Sequence, residues 1–208
     1  MSSGSHYFTP KPETPSERKL ITFGLDGAEL DLWTDTGVFA GDRVDSGTLA
    51  LLEEAPPPLD APADLLDLGC GYGPIAVALA RRAPTARVWA VDVNERAVAL
   101  ARENAYLNGC RNVYACTPAE LPADLAFAAI YSNPPVRVGK AALHGLLQEW
   151  LGRLAPDGHA YLVVQRHLGA DSLAAWLAAQ GCDVERLASK RGYRVLAVAL
   201  SGSASSGT

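Results

Sequence analysis

The sequence lacks the features that mark membrane, secreted and metal-binding proteins. No apolar run in its 208 residues approaches the ~20 residues of a membrane-spanning helix. Its first residues contain no apolar core of the kind that a secretory signal needs. The four cysteines form no CxxC pair and have no histidines at paired spacing. We therefore expect free thiols, no metal ion and a cytoplasmic protein.

The chain also lacks an excess of positive charge. It has 18 Lys and Arg against 23 Asp and Glu, a net charge of −5. Because a dedicated nucleic-acid-binding module has a basic footprint, this balance weighs against that class, although it leaves room for a small basic patch. The hydrophobic content of 49% and the length predict one globular domain with a sizeable core.

Both ends of the chain are polar and contain few apolar residues. We expect a flexible arm over residues 1–19 and a flexible tail over 201–208. Between them, 20–200 is predicted to be a single domain, divided into an N-terminal hairpin and helix (20–55) and a larger core (63–200).

The N-terminal part of this domain contains a turn signal and a helix signal. Two β-rich runs flank Asp26 and Gly27, a pair that accepts positive φ and therefore predicts a hairpin. The segment SGTLALLEE then predicts a short helix with Ser46 as its N-cap. A proline-rich connector follows it.

From residue 64 onward, apolar strand patterns alternate with amphipathic helix patterns. This alternation predicts an α/β fold with a mostly parallel sheet covered by helices on both faces, a Rossmann-like architecture. The last two predicted strands, CDVERLAS and YRVLAVAL, are joined by three residues only. Because such a connection is too short for a crossover between parallel strands, one of them must run antiparallel.

The first core strand ends in a glycine-rich turn. Gly69, Gly71 and Gly73 form a GxGxG that opens a helix, which allows a tight turn and lets a ligand approach the backbone near the helix N-terminus. Asp67 precedes the glycines. A carboxylate here would repel a pyrophosphate but would suit a cationic ammonium group. The alternative is that Asp67 only caps the helix.

The second core strand ends in Asp92, nineteen residues after Gly73. An acidic residue at this place can accept both hydroxyls of a ribose. The alternative is that it caps the helix that begins near Asn94. Taken together, the two strand ends predict a ligand with an amine and a ribose, and S-adenosylmethionine has both.

The fourth core strand is followed by Asn133, Pro134 and Pro135. Two prolines remove two backbone donors and hold the chain extended. The Asn133 side-chain oxygen and the Pro134 carbonyl would bind the two N–H groups of a planar exocyclic amine and aim its lone pair at a methyl group. The alternative is that the prolines only end the strand.

These strand-end segments resemble those of a known family. DLGCGYGPIA, VDVNERAV and NPPVRVGK look like the class I S-adenosylmethionine-dependent methyltransferases. The upstream TDTGVFAGDRVDSGT and the terminal SKRGYRVL resemble more narrowly the small-domain enzymes related to ribosomal small-subunit RNA guanine-N2 methyltransferases. The resemblance implies a seven-stranded sheet of order 3-2-1-4-5-7-6, with strand seven antiparallel.

The resemblance also implies roles for individual residues. The cofactor-binding set that it suggests is Asp67, Gly69, Cys70, Gly71, Gly73, Asp92 for the ribose, Val93 beside the adenine, Thr117, and Asn133. The catalytic set is Asn133, Pro134 and Pro135. Apart from the resemblance, positions near the predicted site give a candidate substrate-binding set of Phe39, Val136, Arg137, Lys140 and Arg191.

Three departures from the family pattern qualify this reading. Val136 stands where adenine-N6 and glutamine-N5 methyltransferases usually have an aromatic residue, which disfavours both of those acceptors. The loop CTPAEL lacks the acidic residue that many relatives place on the adenine amino group, so Thr117 or a backbone group near Ala119 would replace it. The additional N-terminal domain of the two-domain ribosomal enzymes is missing, so a monomer or homodimer of this domain would recognise the substrate.

The residues around the predicted site leave several readings open. Phe39 either covers the cofactor or the base, or packs in the core. Arg137 and Lys140, extended by Lys190, Arg191 and Arg194, either bind phosphate or form ordinary solvated surface.

The resulting functional prediction is methylation of the N2 amine of guanine in ribosomal RNA. A methyltransferase acting on a small molecule or on a protein amide or amine stays open. So do a binding protein with a degenerate cofactor site and, with a poor fit to Asp67, a nicotinamide-dependent oxidoreductase.

Overall fold

The computed structural model of the protein describes residues 14–38 and 42–202, except for the Arg137 side chain. Its strands are β1 (Lys19–Leu25), β2 (Ala28–Thr34), β3 (Asp64–Leu68), β4 (Arg87–Val91), β5 (Val113–Cys116), β6 (Phe127–Ser132), β7 (Leu154–Gln165), β8 (Cys182–Lys190) and β9 (Tyr193–Leu200). Its helices are α1 (Ser46–Glu54), α2 (Pro74–Arg82), α3 (Glu95–Leu107), α4 (Lys140–Leu151) and α5 (Ala170–Ala179).

The larger sheet has the order β5-β4-β3-β6-β7-β9-β8. Counted from its own first strand, this is the predicted 3-2-1-4-5-7-6. Strands β3 to β7 pair in parallel, whereas β9 runs antiparallel to both β7 and β8. The predicted sheet and its antiparallel seventh strand are confirmed. The order reverses between β3 and β4 on one side and β6 on the other, which is where α/β sheets bind ligands.

The N-terminal hairpin is also confirmed. β1 and β2 pair antiparallel as a separate two-stranded sheet, from Lys19 opposite Thr34 to Leu25 opposite Ala28. Asp26 and Gly27 have φ values of 50° and 79°, as a two-residue turn between twisted strands requires.

Helix α1 has the predicted length but a different N-cap. Asp45, not Ser46, is the cap, with extended backbone angles of −58° and 141°. Its side chain accepts hydrogen bonds from the backbone of Gly47 at 2.7 Å and of Thr48 at 3.2 Å. Ser and Asp are both good caps, so only the observed backbone geometry distinguishes them.

The sheet separates two apolar cores. One face packs against α1, α2, α3 and the hairpin, and the other against α4 and α5. On the first face, the buried Asn104 of α3 holds the hairpin. It accepts from the Trp33 backbone N–H at 2.7 Å and donates to the carbonyls of Trp33 and Tyr72, each at 2.8 Å.

The predicted N-terminal arm is attached to the domain where the structure describes it. The Ser16 hydroxyl donates to Asp35 at 2.7 Å, and the Glu17 backbone N–H donates to the same carboxylate at 2.7 Å. Residues 1–13 and the tail from 203 lie outside the described residues. Among the helices that the structure describes, none has the length and apolar character to cross a membrane.

Candidate functional site

A pocket lies at the carboxyl ends of β3, β4 and β6, where the order of the sheet reverses. Its volume is about 90 Å³ and it opens to solvent. Strand ends, the loop after β5 and helix α4 all contribute to its lining, through Leu68, Gly69, Val91, Asp92, Val93, Pro118, Asn133, Pro135, Leu146 and Trp150.

The glycine-rich turn leaves backbone open toward this pocket. Gly69, Gly71 and Gly73 all have positive φ, at 73°, 55° and 88°. A Cβ at Gly69 would meet no heavy atom within 4 Å, whereas a Cβ at Gly73 would lie 3.0 Å from the Cβ of Ala101 in α3. Gly69 therefore leaves room for a ligand, and Gly73 allows α2 and α3 to pack closely. The Cys70 side chain instead lies in the apolar core.

Asp67 is fully buried and only half satisfied. Its Oδ2 accepts from the Ala76 backbone N–H in the first turn of α2 at 2.9 Å, while its Oδ1 has no partner among the described residues. Burial raises the pKa of Asp67 to about 8, the Ala76 hydrogen bond opposes this rise, and the charge of Asp92 adds to it. One oxygen thus caps the helix, as the alternative interpretation has it, and the other is a buried acceptor of a residue that does not line the pocket.

Asp92 accepts two backbone hydrogen bonds that fix its carboxylate. Oδ2 accepts from Gly71 and Oδ1 from Asn94, both at 2.9 Å. Helix α3 is capped by Asn94, whose side chain accepts from the backbone of Arg96 and Ala97. Burial raises the pKa of Asp92, and its backbone donors oppose the rise. Because each carboxylate oxygen can accept more than one hydrogen bond, both remain able to bind hydroxyls.

The Asn133 side chain is held by helix α1. Its Nδ2 donates to Asp45 Oδ2 at 2.8 Å and to Thr48 Oγ1 at 3.2 Å. Within the described part of the chain, its Oδ1 has no partner, and the residue lines the pocket. The structure therefore brings one predicted acceptor to the site with its oxygen free.

The two prolines and Val136 have different surroundings. Pro135 lines the pocket. The Pro134 carbonyl, predicted as the second acceptor, already accepts from the Val136 backbone N–H at 2.8 Å, which leaves it one lone pair. The Val136 side chain packs against the apolar core on the α4 and α5 face and does not line the pocket.

The loop after β5 contains an acidic residue, but it is used within the loop. The Thr117 backbone N–H and hydroxyl donate to Glu120 at 2.8 and 2.9 Å. Pro118, rather than Thr117, lines the pocket, opposite the exposed Val93.

The predicted phosphate-binding cations are not a free basic patch. Lys190 lies 2.9 Å from Glu53 and 2.6 Å from Glu54, and Arg191 lies 3.1 Å from Glu53. Arg194 pairs with Asp171 at 2.8 Å. Lys140 is exposed at the start of α4. Phe39 and the Arg137 side chain lie outside the described residues.

The sequence reading missed several residues of this region. Asp45 and Thr48 contact Asn133, while Leu146 and Trp150 close the pocket from α4. The segment VDSGT was noted upstream, but its contact with Asn133 spans 88 positions, so no local pattern revealed it.

A model of the methyltransferase small domain family matches residues 29–197 of this chain. Among similar curated proteins is the uncharacterised YbxB of Bacillus subtilis strain 168, which is 33% identical over 194 residues. That match covers 92% of this chain and 96% of the relative.

Ribosomal RNA methyltransferases are similar over part of their length. The small subunit methyltransferase C of Pseudomonas paraeruginosa is 33% identical over 178 residues, which cover 76% of this chain and 53% of that protein. The solved structure of the T. thermophilus 16S rRNA N2 G1207 methyltransferase with AdoMet and guanosine has a TM-score of 0.72 and 25% identity, covering 91% and 52% of the two chains. The chain thus spans about half the length of these RNA methyltransferases.

Proposed function

The chain belongs to the methyltransferase small domain family, whose members transfer methyl groups from S-adenosylmethionine, and we propose that its acceptor is the exocyclic N2 amine of a guanine in ribosomal RNA. The proposal rests on the geometry of Asn133, together with the similarity to ribosomal RNA methyltransferases.

The residues of the pocket fit S-adenosylmethionine. Asp92 suits the two ribose hydroxyls, and the open side of Gly69 accommodates a ligand against the backbone. Asp67 lies behind the lining, and its unpaired Oδ1 would serve the cationic ammonium. Val93, Pro118 and the α4 residues Leu146 and Trp150 give the pocket an apolar lining that suits the adenine. When bound, this cofactor supplies an electrophilic methyl group on a cationic sulfur.

The single observation that carries the proposal is the orientation of the Asn133 amide. Its NH₂ group is bound by Asp45 and Thr48, which leaves its oxygen as the hydrogen-bond acceptor of a residue that lines the pocket. An acceptor fixed in this way binds an N–H of a planar amine and favours localisation of the nitrogen lone pair. The amine nitrogen that Asn133 would hold would take the cofactor's methyl group, the cofactor would leave as a neutral thioether, and the cationic nitrogen would then release its proton to solvent.

Two observations support guanine over other planar amines. The similar T. thermophilus enzyme is an N2 guanine methyltransferase solved with guanosine. The first residue after the prolines is Val136, which packs into the core, so no aromatic ring at this position stacks on an adenine. A base within a duplex cannot reach the pocket, so the guanine must be unpaired or flipped out.

The direct test is methylation of ribosomal RNA in vitro. Purified protein is incubated with labelled S-adenosylmethionine and either unmodified ribosomal RNA or small subunits, and the digested nucleosides are separated. We expect label in N2-methylguanosine. Label in N6-methyladenosine, or an unlabelled RNA fraction with label in protein or small molecules, would contradict the proposal.

One observation favours a second candidate, a methyltransferase that acts on a small molecule or a protein amine. The cations Lys190, Arg191 and Arg194 are paired with acidic residues instead of forming a basic rim. The same labelling experiment, performed on a cell extract cleared of RNA, distinguishes this candidate.

Replacement of Asn133 separates chemistry from cofactor binding. Because Asn133 is proposed to bind the acceptor amine, Asn133→Ala should keep most of the cofactor affinity and lower turnover by about a hundredfold or more. Cofactor affinity is measured by calorimetry and turnover by label transfer. Wild-type turnover in this variant would show that Asn133 does not bind the amine.

A further inference from the structure

We propose that Asp45 is a positioning residue for methyl transfer, because it holds the Asn133 amide in the orientation that presents oxygen to the acceptor amine. This inference rests on the proposed function of Asn133. It adds a second residue, 88 positions upstream in the chain, on which the orientation of the amide depends.

The contacts of Asp45 support this role. Oδ2 accepts from Asn133 Nδ2 at 2.8 Å, and also from the backbone N–H groups of Gly47 and Thr48, at 2.7 and 3.2 Å. Oδ1 lies 3.4 Å from the hydroxyl of Tyr193. The two backbone bonds tie the carboxylate to the first turn of α1, so it cannot follow Asn133 if that side chain rotates.

A carboxylate selects one of the two orientations of the amide. The oxygen and the NH₂ group of an asparagine have nearly the same shape, so packing alone does not distinguish them. The Asp45 carboxylate oxygen that accepts from the α1 backbone can also accept from Asn133, and it therefore favours the NH₂ of Asn133 on its side. In the reversed orientation, the Asn133 oxygen would face the Asp45 carboxylate, and both atoms are hydrogen-bond acceptors. The Asn133 NH₂ group would then point its N–H groups at the N–H groups of the amine to be methylated.

The surroundings of α1 place Asp45 within reach of Asn133. A Cβ at Gly47 would lie 2.7 Å from the Tyr193 ring, so only glycine allows β9 to pack this closely on the start of the helix. Thr48 is 4% exposed, and its hydroxyl is the second acceptor for Asn133. The segment VDSGT and the hairpin formed by β8 and β9 therefore meet at the start of α1, although they are far apart in the sequence.

The competing explanation is that Asp45 acts only as the N-cap of α1. Serine is an equally good cap, but its side chain is one atom shorter and cannot reach both the helix backbone and Asn133. Asparagine caps the helix as well, and its oxygen can accept from Asn133 as the carboxylate does. Asp45→Ser and Asp45→Asn thus keep the cap and differ in the contact with Asn133.

The experiment measures cofactor affinity, turnover and the Asn133 amide in both variants. In Asp45→Ser we expect turnover to fall by about tenfold to a hundredfold with little change in cofactor affinity, as when a reacting group loses its orientation. In Asp45→Asn most of the turnover should be retained. In an Asn133→Ala background, Asp45→Ser should lower turnover no further, because both changes act through the same group.

A spectroscopic readout keeps this test independent of the substrate. The side-chain NH₂ resonance of Asn133, assigned by its loss in Asn133→Ala, should be protected from solvent exchange in the wild type and in Asp45→Asn. Protection should be lost in Asp45→Ser. Asp60→Ser is the control. Asp60 is an exposed carboxylate before the amino end of β3, whereas the pocket lies at the carboxyl ends of the strands.

Three outcomes would overturn the proposal. Protection of the amide in Asp45→Ser would mean that Asp45 does not hold it. Wild-type turnover in Asp45→Ser would show that Asp45 acts only as the N-cap of α1. An equal loss of cofactor affinity and turnover would make Asp45 a cofactor ligand. If ribosomal RNA is not methylated, the amide measurement still tests the positioning role while the substrate proposal fails.

Discussion

At the scale of single residues, the site contains two buried carboxyl groups, and that of Asp67 has one oxygen without a partner among the described residues. Asp67 and Asp92 lie at the ends of neighbouring strands, and each accepts from the backbone of an adjacent loop or helix. Burial raises the pKa of both carboxyl groups. A buried charge of this kind is costly unless it is paired, so a ligand that supplies donors or positive charge is favoured.

Asp92 should contribute strongly to cofactor affinity. Asp92→Ala removes the predicted contacts to both ribose hydroxyls, and we expect a loss of about tenfold to a hundredfold, or roughly 1.5–3 kcal/mol. Calorimetric titration with S-adenosylmethionine or its demethylated product measures this change. Asp60→Ala is a suitable control because that carboxylate is exposed. Unchanged affinity, or a preference for NAD, would contradict the assignment.

Asp67 should make cofactor binding depend on pH. With its pKa near 8, the carboxyl is protonated in the free protein at neutral pH, and it must lose the proton to bind an ammonium group. Affinity should therefore rise between about pH 6 and 7.5, by up to about tenfold per unit, while the cofactor amine is still charged. Titrations in Asp67→Asn should be weaker and should show no such rise. An equally steep rise in the variant would assign the proton to another group.

The same carboxyl should affect stability with the opposite trend. The unfolded chain loses this proton near pH 4 and the folded protein near pH 8, so the folded state binds more protons within that window. The free energy of unfolding of the cofactor-free protein should thus fall as pH rises from about 4 to 8. Denaturant titrations should show a smaller fall in Asp67→Asn, whose side-chain oxygen still accepts from Ala76.

At the scale of elements, one asparagine joins the N-terminal hairpin to the Rossmann-like core. Asn104 satisfies both backbone groups of Trp33 and the carbonyl of Tyr72, which lies in the glycine-rich turn. The hairpin is therefore positioned relative to the turn that faces the pocket, by a residue with no solvent exposure.

Replacement of Asn104 should detach the hairpin. Asn104→Ala leaves buried donors and acceptors without partners, and we expect a loss of about 2–4 kcal/mol in the free energy of unfolding. The backbone amide of Trp33 should also exchange faster with solvent. Asn108→Ala is a matched control, since its bond to the Asp31 carbonyl is exposed and should cost less. Equal losses in both variants would show that burial of Asn104 is not the cause.

At the scale of the whole molecule, acidic residues offset the positive charges of the hairpin formed by β8 and β9. Lys190 and Arg191 are paired with Glu53 and Glu54 at the end of α1. With a net charge of −5, the proposed binding of RNA should involve few phosphates.

Lys140 is the cation from which we expect a phosphate contact. It is exposed and follows Asn133 by seven residues. Lys140→Gln should weaken binding to ribosomal RNA and lower the slope of log affinity against log salt by about one. Lys190→Gln is the control, because that charge is already offset, and it should change the slope less. Filter binding at several salt concentrations measures both. Equal salt slopes in the wild type and Lys140→Gln would show that Lys140 does not contact an RNA phosphate.

Much of this protein was determined by its sequence alone. The alternation of strand and helix patterns predicted the sheet, and the family resemblance predicted its strand order. The short KRG connection predicted the antiparallel pair. Asp67, Gly69, Asp92 and Asn133 were predicted as site residues because parallel strands bring their carboxyl ends to one edge of the sheet, where residues that are distant in the chain meet.

Only the tertiary structure decided which groups those residues contact. It placed Asp45 on Asn133, directed Val136 into the core, used Glu120 within its own loop and paired Arg191 with Glu53. Sequence periodicity and turn residues indicate the backbone conformation of each residue and the face of the helix or strand on which it lies. A hydrogen bond or ion pair between distant segments depends instead on how the elements pack, and that packing is a property of the whole fold.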